Sequence, residues 1–349
     1  MNNLLWRIAA SALLALSTPL HAEGVITGLG HLPGGTFSAA HGVSADGSVV
    51  VGYNDSIVPG VSGKREAFRW TLSGGMTGLG FLPGGSNSRA HGVSADGSVV
   101  AGYGNSAKGV QAFRWTQTGG MAGLGFLPGY QNSQAMGVSA DGSVVVGYSQ
   151  DGSTSEAFRW TQSGGMAGLG FLPGGTSSRA YAASADGSVI VGFSHNNKGE
   201  KQAFRWTQSG GMVGLGYLPG GKDSAAVSVS ADGTVVVGRS KSSSGDRAFR
   251  WTQAGGMTGL GTLPGTNNSR AFGVSADGSV VVGYSISSAG DRSFRWTKSG
   301  GMNNLFADKF NSAFAVSGDG NTVVGYDGTV GNRQAFRWTA ASGNKPATP

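Results

Sequence analysis

The tripeptide Phe-Arg-Trp occurs seven times, closing on Trp70, Trp115, Trp160, Trp206, Trp251, Trp296 and Trp338. Successive tryptophans stand 45, 45, 46, 45, 45 and 42 residues apart. A second phrase, Ser-Ala-Asp-Gly (Ser-Gly-Asp-Gly in the last copy), keeps the same beat and places Asp46, Asp96, Asp141, Asp186, Asp232, Asp277 and Asp319. A period of this length is one supersecondary unit stacked on copies of itself. Length alone would divide 349 residues into two or three domains. The repeat instead predicts one, spanning residues 23–340.

Each unit reads as four short strands. In the second unit Arg89–Ser94 runs into Asp96-Gly97, a strong two-residue hairpin signal. Ser98–Tyr103 follows, then a loop, Gln111–Thr116, a Gly-Gly turn and Met121–Leu127, closed by Pro128-Gly129. Forty-odd residues in four antiparallel strands is the size of a propeller blade. The repeats open on a fourth-type strand, Gly24–Gly30, and end on a third-type strand, Gln334–Thr339. The last unit lacks its outer strand and the first residues supply a spare one, as in a ring that is latched shut. A solenoid would show atypical caps instead. The expected fold is all-β: a seven-bladed β-propeller of four-stranded blades, closed by the N-terminal strand joining the last blade.

Composition supports this and removes several alternatives. The 65 glycines lack the three-residue period of collagen. With 39% hydrophobic and 12% charged residues the chain is not of disordered type. The absence of cysteine excludes disulfides, thiolate metal sites and a Cys nucleophile. Residues 1–22 have the form of a secretory signal peptide: Arg7, an apolar run from Ile8 to Leu20, then Leu20-His21-Ala22. About 13 apolar residues are too few to span ~30 Å of lipid, and no later segment is apolar enough. Residues 341–349 read as a polar tail. The chain is expected to be exported, to the periplasm or the cell surface and medium, and to be a monomer.

What recurs in every unit is expected to be structural. The seven tryptophans belong to that class, as do the hairpin aspartates, which form turns. The arginine of each Phe-Arg-Trp (Arg69, Arg114, Arg159, Arg205, Arg250, Arg295, Arg337) is expected to tie blade to blade by ion pairing or ring stacking. Variation gathers in two loop sets that a meander brings to one face of the disc. One of them is Asn54–Glu66 in the first unit and its shorter counterparts elsewhere. At the start of the innermost strand the units carry His41, His91, Met136, Tyr181, Val227, Phe272 and Phe314. Arg89, Arg179 and Arg270 stand two positions before their unit's member of that set. His41, His91, Tyr181, Phe272 and the three arginines are therefore the candidate ligand-binding residues, near the mouth of the central channel. Such a set could bind a sugar or an acidic group, or the aromatics could simply fill the channel.

The formal charge of +7 comes from scattered residues such as Lys64, Arg65, Lys108, Lys201, Arg247 and Arg292, nearly all in the variable loops. The variable face should be mildly basic and the constant face acidic. Acidic residues intersperse these loops, so there is no phosphate-tracking stripe and no nucleic-acid role is expected. Weak attraction to anionic glycans or lipopolysaccharide fits. No nucleophile elbow, dinucleotide loop or calcium loop is found. His41 and His91 have no third ligand for a metal, and no cofactor is called for. No catalytic residue is assigned.

The run Ala-Phe-Arg-Trp-Thr-x-x-Gly-Gly-Met-x-Gly-Leu-Gly-x-Leu-Pro-Gly, followed by Gly-Val-Ser-Ala-Asp-Gly-Ser-Val-Val-Val-Gly-Tyr-Ser, resembles the bacterial HAF-type extracellular repeat. The likeness covers all seven units. The Ser-Ala-Asp-Gly strand pair is also similar to YVTN-type propeller units. The resemblance implies an exported protein and supplies no catalytic residues. The expected function is a binding or interaction module whose partner is a cell-surface glycan, lipopolysaccharide or protein. A purely structural role and, more remotely, a polysaccharide hydrolase or lyase are the alternatives.

Overall fold

The computed structural model describes residues 24–58, 61–288, 290–306, 311–328 and 333–341. The expected leader and nearly all of the polar tail lie outside them. The described residues form seven antiparallel four-stranded sheets and no helix. Six sheets run in chain order. The seventh pairs Gly24–Gly28 with Gln334–Ala340, beside Thr322–Asp327 and Asn311–Val316. The ring is thus a seven-bladed propeller closed by its first strand, as the order of units predicts.

Blade 2 shows the local logic: Ser88–Val93 is innermost, then Val99–Ser106, Gly109–Thr116 and Gly120–Gly123. The outer strand is shorter than the pattern suggested. Leu127 leaves the sheet to pack between blades 2 and 3 with Ala101, Ala112, Ala135, Val145 and Phe158. Each of the seven apolar clusters draws residues from two neighbouring blades. The core is therefore seven interfaces, each lined by the Phe of Phe-Arg-Trp, which is at most 1% exposed in every copy. Trp70 and Trp338 are buried, and the other five tryptophans pack partly exposed beside the same clusters.

Polar ties cross the same interfaces. Ser88 Oγ accepts from Ala67 N at 2.9 Å and donates to Gly80 O at 2.7 Å, so one hydroxyl satisfies two buried backbone groups. Four of the seven repeat arginines link blades, and among the described residues none of the seven does so by an ion pair or by ring stacking. Arg69, Arg114, Arg205 and Arg337 each donate through Nε to the carbonyl of the hairpin glycine in the next blade, at 3.0–3.3 Å. The turn they grip is held by its aspartate. Asp96 Oδ1 accepts from Ser94 Oγ (2.6 Å), Ser98 N (3.0 Å) and Ser98 Oγ (2.8 Å), while Gly97 takes φ 73°.

A further tie runs round the axis. The N–H of Ala45 donates to Ala95 O, Ala95 to Ala140, and so on through Ala185, Ala231, Ala276 and Gly318, which returns to Ala45 O. These seven hydrogen bonds of 2.8–3.0 Å form a closed head-to-tail ring at the constant-turn end.

Candidate functional site

The constant turns and this ring occupy one end of the channel, and the variable loops surround the other. The long segment expected as a loop at Asn54–Glu66 is instead an extension of blade 1. Val49–Val58 and Val61–Thr71 stay paired out to Val58 opposite Val61.

Every innermost strand carries a β-bulge, and the bulged residue is the variable one. The register skips His41, His91, Met136, Tyr181, Val227, Phe272 and Phe314 in blades 1 to 7. A bulge leaves its extra residue out of the ladder and re-aims the side chain. Here all seven line a central cavity of about 540 Å³. The crowded bulge also explains a repeated glycine. Across the ladder, a Cβ on Gly283 would lie 2.0 Å from Arg270 O.

One sector of this ring stacks on itself. His91 lies on Tyr103 (centroids 5.3 Å apart) and beside His41 (5.0 Å), His41 on Phe314 (5.0 Å), and Phe314 edge-on to Phe272 (5.3 Å), which stacks on Tyr284 (5.0 Å). Both histidine Nε2 atoms are sealed from solvent without a hydrogen-bond partner. Burial pulls His41 down to about 4, and burial with repulsion from His41 pulls His91 down to about 3. Both imidazoles are neutral at physiological pH and serve as flat, weakly basic walls.

The adjoining sector, from blade 4 to blade 6, is charged. Arg270 lines the cavity together with Lys201 and Arg239, two residues that motif reading did not single out. Arg270 donates to Asp246 at 3.0 Å, and its Nε is buried without an acceptor. Arg239 pairs with Asp223 at 3.2 Å and lies 3.8 Å from Asp246. Lys201 Nζ sits 3.8 Å from the Phe193 ring centre. Its pKa is lowered to about 8, first by burial and then by Arg239, with Arg179 and Arg270 adding and Asp223 opposing.

Arg89 and Arg179 belong to the rim and do not line the cavity. Arg89 lies over Tyr53 and Tyr103 (5.1 and 5.7 Å) and donates to Tyr103 Oη. With Arg65 and Asn87 it lines a second hollow of about 340 Å³. Arg179 lies 4.4 Å over Tyr148 and donates to Ser155 and Gln150. Of the candidate set, His41, His91, Tyr181, Phe272 and Arg270 come together. Lys201 was legible only as a loop charge. Arg239 could have been found as the one non-aromatic residue at a position that elsewhere reads Tyr53, Tyr103, Tyr148, Phe193, Tyr284 and Tyr326. Among the described residues no group of three or more His, Cys, Asp or Glu is placed to hold a metal ion.

No protein-family signature matches the chain, and no curated protein matches it in sequence. Solved structures do match in shape. An oligogalacturonate lyase in complex with manganese is similar at TM-score 0.61 and 12% identity, over 93% of this chain and 98% of that one. An oligogalacturonate lyase from Vibrio parahaemolyticus is similar at 0.59 and 11%, over 92% and 94%. TolB from Acinetobacter baumannii is similar at 0.51 and 14%, over 85% of this chain and 65% of that one. What is shared is the fold. At these identities the likeness carries no residue roles.

Proposed function

We propose that this chain is an exported binding module that takes its ligand at the variable-loop end of the propeller channel. The observation that carries the reading is the cavity. Seven bulges spend the innermost strands on presenting variable side chains to one space, while the invariant phenylalanines and hairpin turns pack and tie the blades together. A wall of aromatic faces beside a wall of cations, in a hollow of about 540 Å³, is the make-up of a small-ligand site. The leader-like N-terminus and the resemblance to extracellular repeats support export, and surface glycans or surface proteins are the partners within reach.

The binding reading is favoured over catalysis because His41 and His91 are neutral by burial and neither Nε2 has a hydrogen-bonded partner with which to form a catalytic pair. Turnover of an acidic polysaccharide that disappears in His41→Ala/His91→Ala would overturn that preference. The binding test is a glycan array and a cell-surface adhesion assay with the Arg89→Ala/Arg179→Ala/Arg270→Ala variant. Signal given by the natural chain should be lost. Signal that survives in a folded variant places the ligand elsewhere.

A further inference from the structure

Blade 5 differs from both of its neighbours at two cavity-lining positions, and the two differences complement each other. At the bulge it carries Val227, where blades 4 and 6 carry Tyr181 and Phe272. On the neighbouring strand it carries Arg239, where every other blade has Tyr or Phe. Valine is the smaller side chain beside two aromatic rings, and Arg239 adds a guanidinium to the lining of the same cavity. Lys201 from blade 4 and Arg270 from blade 6 line the same cavity on either side.

We propose that this sector seats the carboxylate of an acidic sugar, its ring lying over Val227 between Tyr181 and Phe272. The proposal deepens the binding reading above and rests on it. Charge count selects the ligand's acid. The cations Arg179, Lys201, Arg239 and Arg270 face the carboxylates Asp223, Asp246 and Asp291. Arg239 and Arg270 are held in place by the first two, which preorganises them and leaves a modest positive surplus. That surplus suits a single carboxylate better than a phosphate dianion. Two donors stand ready: Arg270 Nε is buried without an acceptor, and no carboxylate among the described residues forms an ion pair with Lys201. Tyr181, Val227 and Phe272 line the same cavity, so a ring can bury one face against aromatic planes while its acid stays among the cations.

The test is calorimetric titration of the purified chain with galacturonate, with galactose and with inorganic phosphate. Galacturonate should bind and galactose should not. Arg239→Tyr and Val227→Phe should each weaken galacturonate at least about tenfold, the worth of one charge-assisted hydrogen bond or of the lost space. Both substitutions install what other blades already carry, so the ring should fold, and circular dichroism verifies it. Affinity should also fall as pH rises through about 8, where Lys201 loses its proton, and Lys201→Met should flatten that profile. The groups facing Lys201 are Arg239, Asp223, Arg179 and Arg270, with His195 opposite it across the ladder.

Equal binding of galactose overturns the carboxylate seat while leaving a channel-end site in place. Phosphate competing on equal terms overturns the sugar. No binding of galacturonate at all overturns this proposal, while the array and adhesion assays still judge the binding module. Galacturonate binding that ignores both blade 5 variants but vanishes in an Arg89→Ala/Arg179→Ala variant moves the site to the rim and sinks the proposal.

Discussion

Replacing Gly283 with alanine should destabilise the ring and loosen the channel wall together. Gly283 pairs with Ala271 immediately before the bulge at Phe272. A Cβ there would lie 2.0 Å from Arg270 O and 2.9 Å from Ala271 Cα, against the 3.4 Å at which ordinary contact begins. The ladder must open by about 1.4 Å, and both obstacles are backbone, so no side chain can swing aside. Overpacking of this kind costs about 1–3 kcal/mol. In a domain of this size each kcal/mol lowers Tm by roughly 2 °C, which gives a fall of about 2–6 °C. Thermal unfolding followed by circular dichroism measures it. The control is Gly259→Ala, on an exposed outer strand without positive φ, whose nearest neighbour would be Leu218 Cδ1 at 3.5 Å. That change should be neutral, or stabilising by up to about 1 kcal/mol through the unfolded state. Equal Tm values for the two variants would refute the argument that the bulge carbonyl is what excludes a side chain.

Two other perturbations follow from the interfaces. Ser88→Ala strands the buried Ala67 N–H and Gly80 carbonyl and should cost about 1–3 kcal/mol, read by urea denaturation; an unchanged midpoint would mean that the bridge contributes nothing net. The hairpin carboxylates set the acid response. Hydrogen bonds from Ser94 and Ser98 lower Asp96 to about 2, and those from Ser188 and Ser184 do the same for Asp186. A depressed folded pKa adds stability above the ordinary value of 3.8, lost as pH falls toward 2. Asp96→Asn should therefore flatten the decline of Tm between about pH 4 and pH 2, and an unaltered slope would exclude this turn as a contributor.

The seven bladed units, the latch and the turn chemistry were all readable from residues because each is local or strictly periodic. Phe-Arg-Trp announces a strand, Asp-Gly a hairpin, and the missing outer strand of the last unit is a matter of counting. The role of the repeat arginines was half readable. Recurrence pointed to a tie between blades, which four of them make, but their acceptor is a backbone carbonyl, which sequence does not display. Tyr181 and Phe272 were readable as channel residues because their position varies within an otherwise constant phrase. The bulge beneath them was hidden, since it arises from the way one strand pairs with the next.

The sequence by itself determined the architecture, because sevenfold repetition leaves almost no freedom in how a blade can pack against its copy. Only the tertiary structure decided which departures from the repeat meet. Lys201, Val227, Arg239 and Arg270 come from three units and stand as far as 69 positions apart. They share one wall because a closed ring turns the same end of every blade toward a common axis, so residues from the strands of three successive blades meet there.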